Sequence, residues 1–505
     1  MRRATAAQVP CAAASRGPSG PAREGRERES VSRLTVAMLL LGAAVALWTA
    51  PLAGVRATDG ERVTADEPQY LLTALSLFED RSLDISDERA AERHRVFHEA
   101  GLPMQEKLQR DGSLVSPHDP LLPAVLAVPL GVGGWVAAKL TLAALAGVLA
   151  AAMLWVAVRR FSVPLTIALL AVAAFSLAAP LAVYGTQVYP ELPAALAVTT
   201  AVGALTGPMD RRSAAVLGLA VLALPWLSVK YAPIAVALFA VGAVALWARD
   251  RRTLAWLGAG LVGAAVLYAL AHQVWYGGWT VYAAGDHFTG GEATVAGTDP
   301  DYLGRSERLT GLVVDRGFGL AAWQPAFLLG VPALVALARR RPRGWTALAA
   351  PLAAGWLMAT FVALTMHGWW WPGRQVVVVL PCLVLMVAWW AKQYAPARRL
   401  LAAGAVLGAA VFAWLVVEGL AGLTLIDDFE TTTNPLVRSW RLLLPDNRLD
   451  PPGAALLRAA WYGAFAALAV WGWRSVAGPA VPVAVDTVLV TEDKQEAPQC
   501  VLVPS

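Results

Sequence analysis

Leu34-Thr-Val-Ala-Met-Leu-Leu-Leu-Gly-Ala-Ala-Val-Ala-Leu-Trp-Thr-Ala-Pro-Leu52 is a continuous apolar run, and the acidic turn Thr64-Ala-Asp-Glu-Pro-Gln-Tyr70 follows it closely. As a helix, a run of that length crosses the ~30 Å hydrocarbon core of a bilayer. It is too long for the apolar region of a secretory signal, so it is read as a retained first span. Arg2, Arg3, Arg16, Arg23, Arg26, Arg28 and Arg33 precede it and hold its start on the cytoplasmic side. The acidic turn then lies just outside the membrane. Pro68 suits the first position of a helix, where its missing N–H leaves nothing unpaired. That places Asp66 and Glu67 at a helix start, where a carboxylate serves either as a base on an incoming hydroxyl or simply as a cap.

The rest of the chain repeats the first span's pattern. Of its 505 residues 57% are hydrophobic and only 15% charged, against about 25% charged in soluble domains. Apolar runs recur over Gly134–Val158, Pro164–Leu181, Pro190–Leu205, Ala214–Leu227, Tyr231–Trp247, Leu254–Val274, Leu320–Ala338, Trp345–Met366, Val376–Ala391, Leu400–Leu425 and Ala454–Trp473. Basic clusters fall at every second boundary: Arg159-Arg160, Arg211-Arg212, Arg249 to Arg252, Arg339 to Arg343, and Lys392 with Arg398-Arg399. The expectation is an all-α polytopic membrane protein of about twelve transmembrane helices, with both termini cytoplasmic. Residues 1–33 read as a disordered basic tail, 34–475 as the transmembrane domain and 476–505 as a second tail. The net charge of +5 belongs to cytoplasmic turns and does not indicate nucleic acid.

Three polar stretches fall outside on this map: 53–120, 275–319 and 426–453. The first is the largest, with a helix expected near Gln69–Phe78 and a charged helical stretch near Asp87–Glu99. Leu121–Leu130, after Ser116-Pro-His-Asp-Pro120, is too short to span and reads as a re-entrant or interfacial piece. Cys11, Cys382 and Cys500 give no disulfide or metal pattern. His94 and His98 share a helix face but lack a clear third ligand, so no metal site is assigned, although a divalent metal stays open.

Some charges break the pattern. Lys139, Lys230, Arg316 and Arg374 all map to the outer ends of spans, as does Glu191 in Val188-Tyr-Pro-Glu-Leu-Pro193 and His367 in His367-Gly-Trp-Trp-Trp-Pro-Gly373. Membrane-level ionisable groups mark a site by default, and the alternative for each cation is a side chain reaching for lipid phosphate. For Glu191 the alternative is a capped helix start. Carboxylates facing cations at headgroup depth suit transfer from a lipid-phosphate donor. Lys or Arg meets the leaving phosphate and an acid takes the acceptor's proton. Tyr70, Tyr189, Trp369 and Trp370 offer ring faces to a sugar, or anchor at the interface. No Gly-rich phosphate loop is present.

On these residues the chain resembles the GT-C superfamily of integral-membrane glycosyltransferases, among them protein O-mannosyltransferases, aminoarabinose transferases and actinobacterial arabinofuranosyltransferases. The resemblance spans about residues 34–475. It rests on Asp66-Glu67 after the first span, the large first loop, Glu191, and the Trp-rich turn ending at Arg374. It departs in the Glu-Pro that follows Asp66 and in having Glu rather than Asp at 191. The resemblance implies a polyprenyl-phosphate sugar donor, an extracytoplasmic glycan, lipid or protein acceptor, and inversion at the anomeric carbon. Asp66 becomes the likeness's base, Glu67 its neighbour and Glu191 a second acid. Lys139, Lys230, Arg316, His367, Arg374, Tyr70 and Trp370 become substrate-binding candidates. The competing classes are a secondary transporter, which puts ionisable groups at the midplane, and a lipid flippase, which needs no base.

Overall fold

The computed structural model describes residues 21–109, 111–286 and 290–477. The expected tails at 1–20 and 478–505 lie outside the described residues. Among those described, the regular structure is helical, and extended pairing is limited to isolated bridges such as Glu61 with His98. In chain order the first half comprises α1 (Pro21–Thr49), α2 (Glu67–Glu79), α3 (Ser86–Ala90), α4 (Leu121–Arg159) and α5 (Leu165–Ser176). Next come α6 (Leu181–Tyr184), α7 (Glu191–Leu205), α8 (Arg211–Leu227), α9 (Ala232–Trp247) and α10 (Arg251–Tyr276). After these follow α11 (Tyr302–Arg305), α12 (Arg308–Val314), α13 (Leu320–Trp323), α14 (Gly330–Arg340) and α15 (Trp345–Leu357). The last are α16 (Leu380–Gln393), α17 (Ala395–Leu420), α18 (Pro435–Arg441) and α19 (Ala454–Ser475).

Among the described residues, eight helical segments are long and apolar enough to cross a bilayer, beginning with Val31–Gly54 and ending with Ala454–Ser475. The other four expected spans are also helical but shorter. α5 has 12 residues, α7 has 15, α8 has 17 and α14 has 11. At 1.5 Å per residue these fall short of ~30 Å. Prolines 164, 180 and 190 bound the first two. The backbone between them, residues 178–190, is buried in the protein, where broken helix is tolerated at membrane depth. α1 also begins earlier than its apolar run and takes in 21–33, part of the expected tail. The Arg, Glu and Ala of that segment are good helix formers. The charged helix expected over Asp87–Glu99 is instead α3 and a 3-10 turn, Arg93–Val96, parted by Glu92 at φ 50°. Leu121–Leu130 is separated from the rest of α4 by a non-helical Gly134.

The polar loops gather at one end of the bundle. The first loop bonds to the second through Lys107 N–H to Ala284 O and Asp286 N–H to Gln105 O. It bonds to the third through Leu425 N–H to Arg56 O and Ile426 N–H to Ala57 O. Arg308 ties the second loop to Ala363 O, just before the Trp-rich turn. The basic turns gather at the other end: Arg160 donates to Gly203 O, Arg249 to Pro208 O, Lys392 to Phe161 O and Arg339 to Trp473 O. The alternation of charge along the chain is therefore a separation in space.

α16 lies at the centre and is the most buried of the eight long segments, whereas α10 and α19 lie at the periphery with apolar faces bare. α1 packs along α4 where two glycines meet. A Cβ on Gly147 would lie 2.3 Å from the Gly42 carbonyl oxygen, and one on Gly42 3.0 Å from the Gly147 oxygen. Such close crossing is how membrane helices pack when no water drives them together. Gly147→Ala is expected to destabilise the protein by ~1–3 kcal/mol through overpacking, because the clash is with backbone. Thermal melting in detergent checks this, and an unchanged midpoint contradicts the close crossing.

Candidate active site

α2 starts beneath the first loop with Asp66 as its first flanking residue and Pro68 in its first turn. The Asp66 side chain makes no capping hydrogen bond. Its Oδ2 instead accepts from Arg374 Nη2 at 2.6 Å. Arg374 follows Gly373, whose φ of 89° and tight fit against Leu320 and Pro180 suit glycine. That turn aims the guanidinium inward, where Nε donates to Glu191 Oε1 at 3.1 Å. Lys230 Nζ donates to the same Glu191 oxygen at 2.7 Å. Glu191, 0% exposed in the first turn of α7, thus joins two cations. Two acids and two bases form one network of balanced charge. The Arg374 guanidinium carbon also lies 3.9 Å from the Tyr189 ring centre and 5.0 Å from that of Trp370, in cation–π range.

A cavity of about 340 Å³ opens onto this network. Asp66, Tyr70, Lys230, Trp370 and Arg374 line it, with His118, Asp119, Gln105 and Tyr282. One wall is apolar, formed by Ile234, Gly355, Met358, Ala359, Val362 and Val378. Part of that wall is a π-turn, Met358–Val362, that ends α15, a distortion often found at functional sites. Among the described residues the Trp370 Nε1–H has no acceptor. The site can therefore hold an anion, a polar group with acceptors and an apolar chain side by side.

Burial raises the Asp66 carboxyl, but Arg374, with His118 and Lys230 nearby, outweighs it and holds the group well below the usual carboxylate range. Burial lowers the His118 imidazole below its ordinary value, against the pull of Asp66. That ring stacks on Tyr70 at 4.6 Å, and its Nε2 lies 3.2 Å from Gln105 Oε1. Asp119 is fixed by three groups: Val229 N–H at 2.8 Å, the Tyr268 hydroxyl at 2.8 Å, and His272 Nε2 at 3.2 Å.

The other expected site residues lie elsewhere. Glu67 points away from the cavity: Oε2 accepts from Val188 N–H at 2.7 Å, and Oε1 lies 3.4 Å from Thr64 N. Burial raises its carboxyl, against Lys139. Lys139 donates to Arg62 O at 3.0 Å and sits over Trp135. Arg316 donates to the carbonyls of Arg441 and Leu444, and His367 lies 3.6 Å from Asp315. None of these four lines the cavity. Trp369 is 63% exposed, as an interfacial anchor is. His118 and Asp119 were not singled out from the sequence. Their signal is Pro117-His-Asp-Pro120, an acid before a proline at a helix start, the same device as Asp66-Glu-Pro68.

The fold and the site together define a multi-pass helical membrane protein with a charged cavity at its loop-bearing end. Among solved structures, the chain is similar to the crystal structure of ArnT from Cupriavidus metallidurans bound to undecaprenyl phosphate. Identity is 16% and the TM-score 0.48, over 86% of this chain and 77% of that one. No family model and no curated protein matches the chain.

Proposed function

We propose that this protein transfers a sugar from a polyprenyl-phosphate donor to an extracytoplasmic glycan, lipid or protein acceptor, with inversion at the anomeric carbon. The observation that carries the reading is the cavity in which two carboxylates (Asp66 and Asp119), two cations and an apolar wall meet at the loop-bearing end. The basic turns at the opposite end support, by the positive-inside rule, a cavity on the extracytoplasmic side and both termini in the cytoplasm. The donor's phosphate sits against Arg374 and Lys230, its prenyl chain along the apolar wall, and its sugar beside Tyr70 and Trp370. The acceptor oxygen attacks C1 as the C1–O bond to phosphate breaks. Polyprenyl phosphate leaves with the bonding electrons, met by the two cations. The acceptor's proton passes to Asp66.

A carboxylate clamped by a guanidinium is a weak base. The donor resolves this by competing for the same guanidinium. As phosphate takes Arg374, Asp66 loses its strongest stabilising partner, and burial then raises its basicity. Base activation is in this way tied to donor binding. The charges crowd one end of the bundle and are not spread around a midplane channel, so the transporter reading draws no support. The test is polyprenyl phosphate binding to the purified protein. Lys230→Ala is expected to weaken it at least about tenfold, the loss of ~1.4 kcal/mol, while His367→Ala leaves it unchanged. Equal affinity in both variants contradicts the proposed headgroup site.

A further inference from the structure

At the far end of α2 from Asp66 the chain makes a tight return. Asp80 ends the helix, Arg81 turns at φ 58°, and α3 brings Asp87 and Glu88 back in its first turn. Carboxylate oxygens of Asp80, Asp87 and Glu88 lie within 4.8 Å of one another. The return is held by the Ser76 hydroxyl, which donates to Asp84 O, and by Asp84 Oδ1, which accepts from Ser86 and Leu114 N–H. The three acids are thus fixed by a built turn.

Glu88 is the unusual member. It is 1% exposed, and among the described residues neither of its carboxylate oxygens accepts from an N–H or hydroxyl donor; its neighbour is the Asp87 carboxylate. A buried carboxylate without donors is costly unless a charge compensates it. The neighbouring cation, Arg93, is committed to Glu79 by hydrogen bonds of 3.0 and 2.9 Å. Asp80 and Asp87 are exposed and leave the outer side open to water.

We propose that Asp80, Asp87 and Glu88 bind one hard divalent cation of the calcium class, at a site separate from the sugar-transfer cavity. The donors are all oxygen, which suits calcium and magnesium over metals that prefer nitrogen or sulfur. Calcium holds oxygen ligands at about 2.3–2.6 Å and magnesium at about 2.0–2.1 Å, so carboxylate oxygens within 4.8 Å of one another can share one such ion. Calcium accepts the irregular, partly hydrated set that these acids offer more readily. Glu88 supplies the inner ligand, the two aspartates the rim, and water the remaining positions. The ion's work is to pin the end of α2 to α3 and so brace the first loop. It does not depend on what the cavity does.

The test uses the full-length protein purified in detergent, stripped with a chelator and returned to chelator-free buffer. Adding Ca²⁺ is expected to raise the melting midpoint by at least about 2 °C in a saturable way, as a ligand of the folded state does. Glu88→Gln and the surface variant Asp80→Asn are each expected to remove that rise, while Asp66→Asn keeps it. Asp80→Asn carries the test if Glu88→Gln does not fold. No rise in the wild type overturns the site, as does an equal rise with Na⁺ at matched ionic strength. A rise that survives Asp80→Asn, or that disappears in Asp66→Asn alone, overturns it as well.

Discussion

Asp66→Asn is expected to lower sugar transfer by about 10²–10⁴-fold, the range that a positioned general base contributes, while the folded protein persists. The amide keeps an oxygen where Oδ2 accepts from Arg374, so the network loses a charge and retains its shape. The pH dependence follows from the same ion pair. Arg374 depresses the Asp66 carboxyl in the free protein, so its stabilising contribution is complete above the ordinary carboxylate value of about 3.9 and is lost only as pH falls below it. Melting between pH 8 and pH 5 should therefore show no acid-side loss from this group. On the proposed mechanism donor binding frees Asp66, so the acid limb of kcat, which reports the bound complex, is expected at higher pH than that of kcat/KM, which reports the free enzyme. Coincident limbs contradict the release of Arg374.

Arg374→Ala is expected to cost about 3–5 kcal/mol of stability, the range seen when one partner of a buried ion pair is removed. Glu191 is 0% exposed and would keep Lys230 as its cation, while Asp66 would lose the side-chain partner it has among the described residues. The stack on Tyr189 and Trp370 goes as well. Arg374→Lys restores a charge without the fork that reaches Asp66 and Glu191 at once, so it recovers stability in part and donor binding poorly. Melting curves with polyprenyl phosphate titrations separate the two effects. An Arg374→Ala protein that melts like the wild type contradicts the network.

Much of this was legible in the sequence because lipid imposes a strong length and polarity pattern. The apolar runs and the basic turns gave the helical segments and their alternation, and the folded chain puts those turns at one end. Depth was legible where azimuth was not. Lys139, Arg316 and Arg374 all bond to residues of the loop-bearing end, yet of the three only Arg374 lines the cavity, since direction around the bundle depends on packing. Asp66 and Glu67 show the same limit over one residue. Successive helical residues diverge by about 100°, so adjacent carboxylates at a helix start face different neighbours, and Glu67 meets Val188 instead. His118 and Asp119 carry no periodic signal, and their partners Gln105, Tyr268 and His272 are brought to them only by the folded first loop and α10. The short α5 reflects a break before Pro180 that the apolar pattern ran through to Leu181, whereas α7 keeps the bounds of its apolar run.

The central claim is tested most directly by incubating the purified protein with a panel of polyprenyl-phosphate sugars and cell-envelope fractions, and measuring released polyprenyl phosphate. The account predicts release from at least one donor, and its loss in Asp66→Asn. Release from none of them, or equal release from the Asp66→Asn protein, would contradict it.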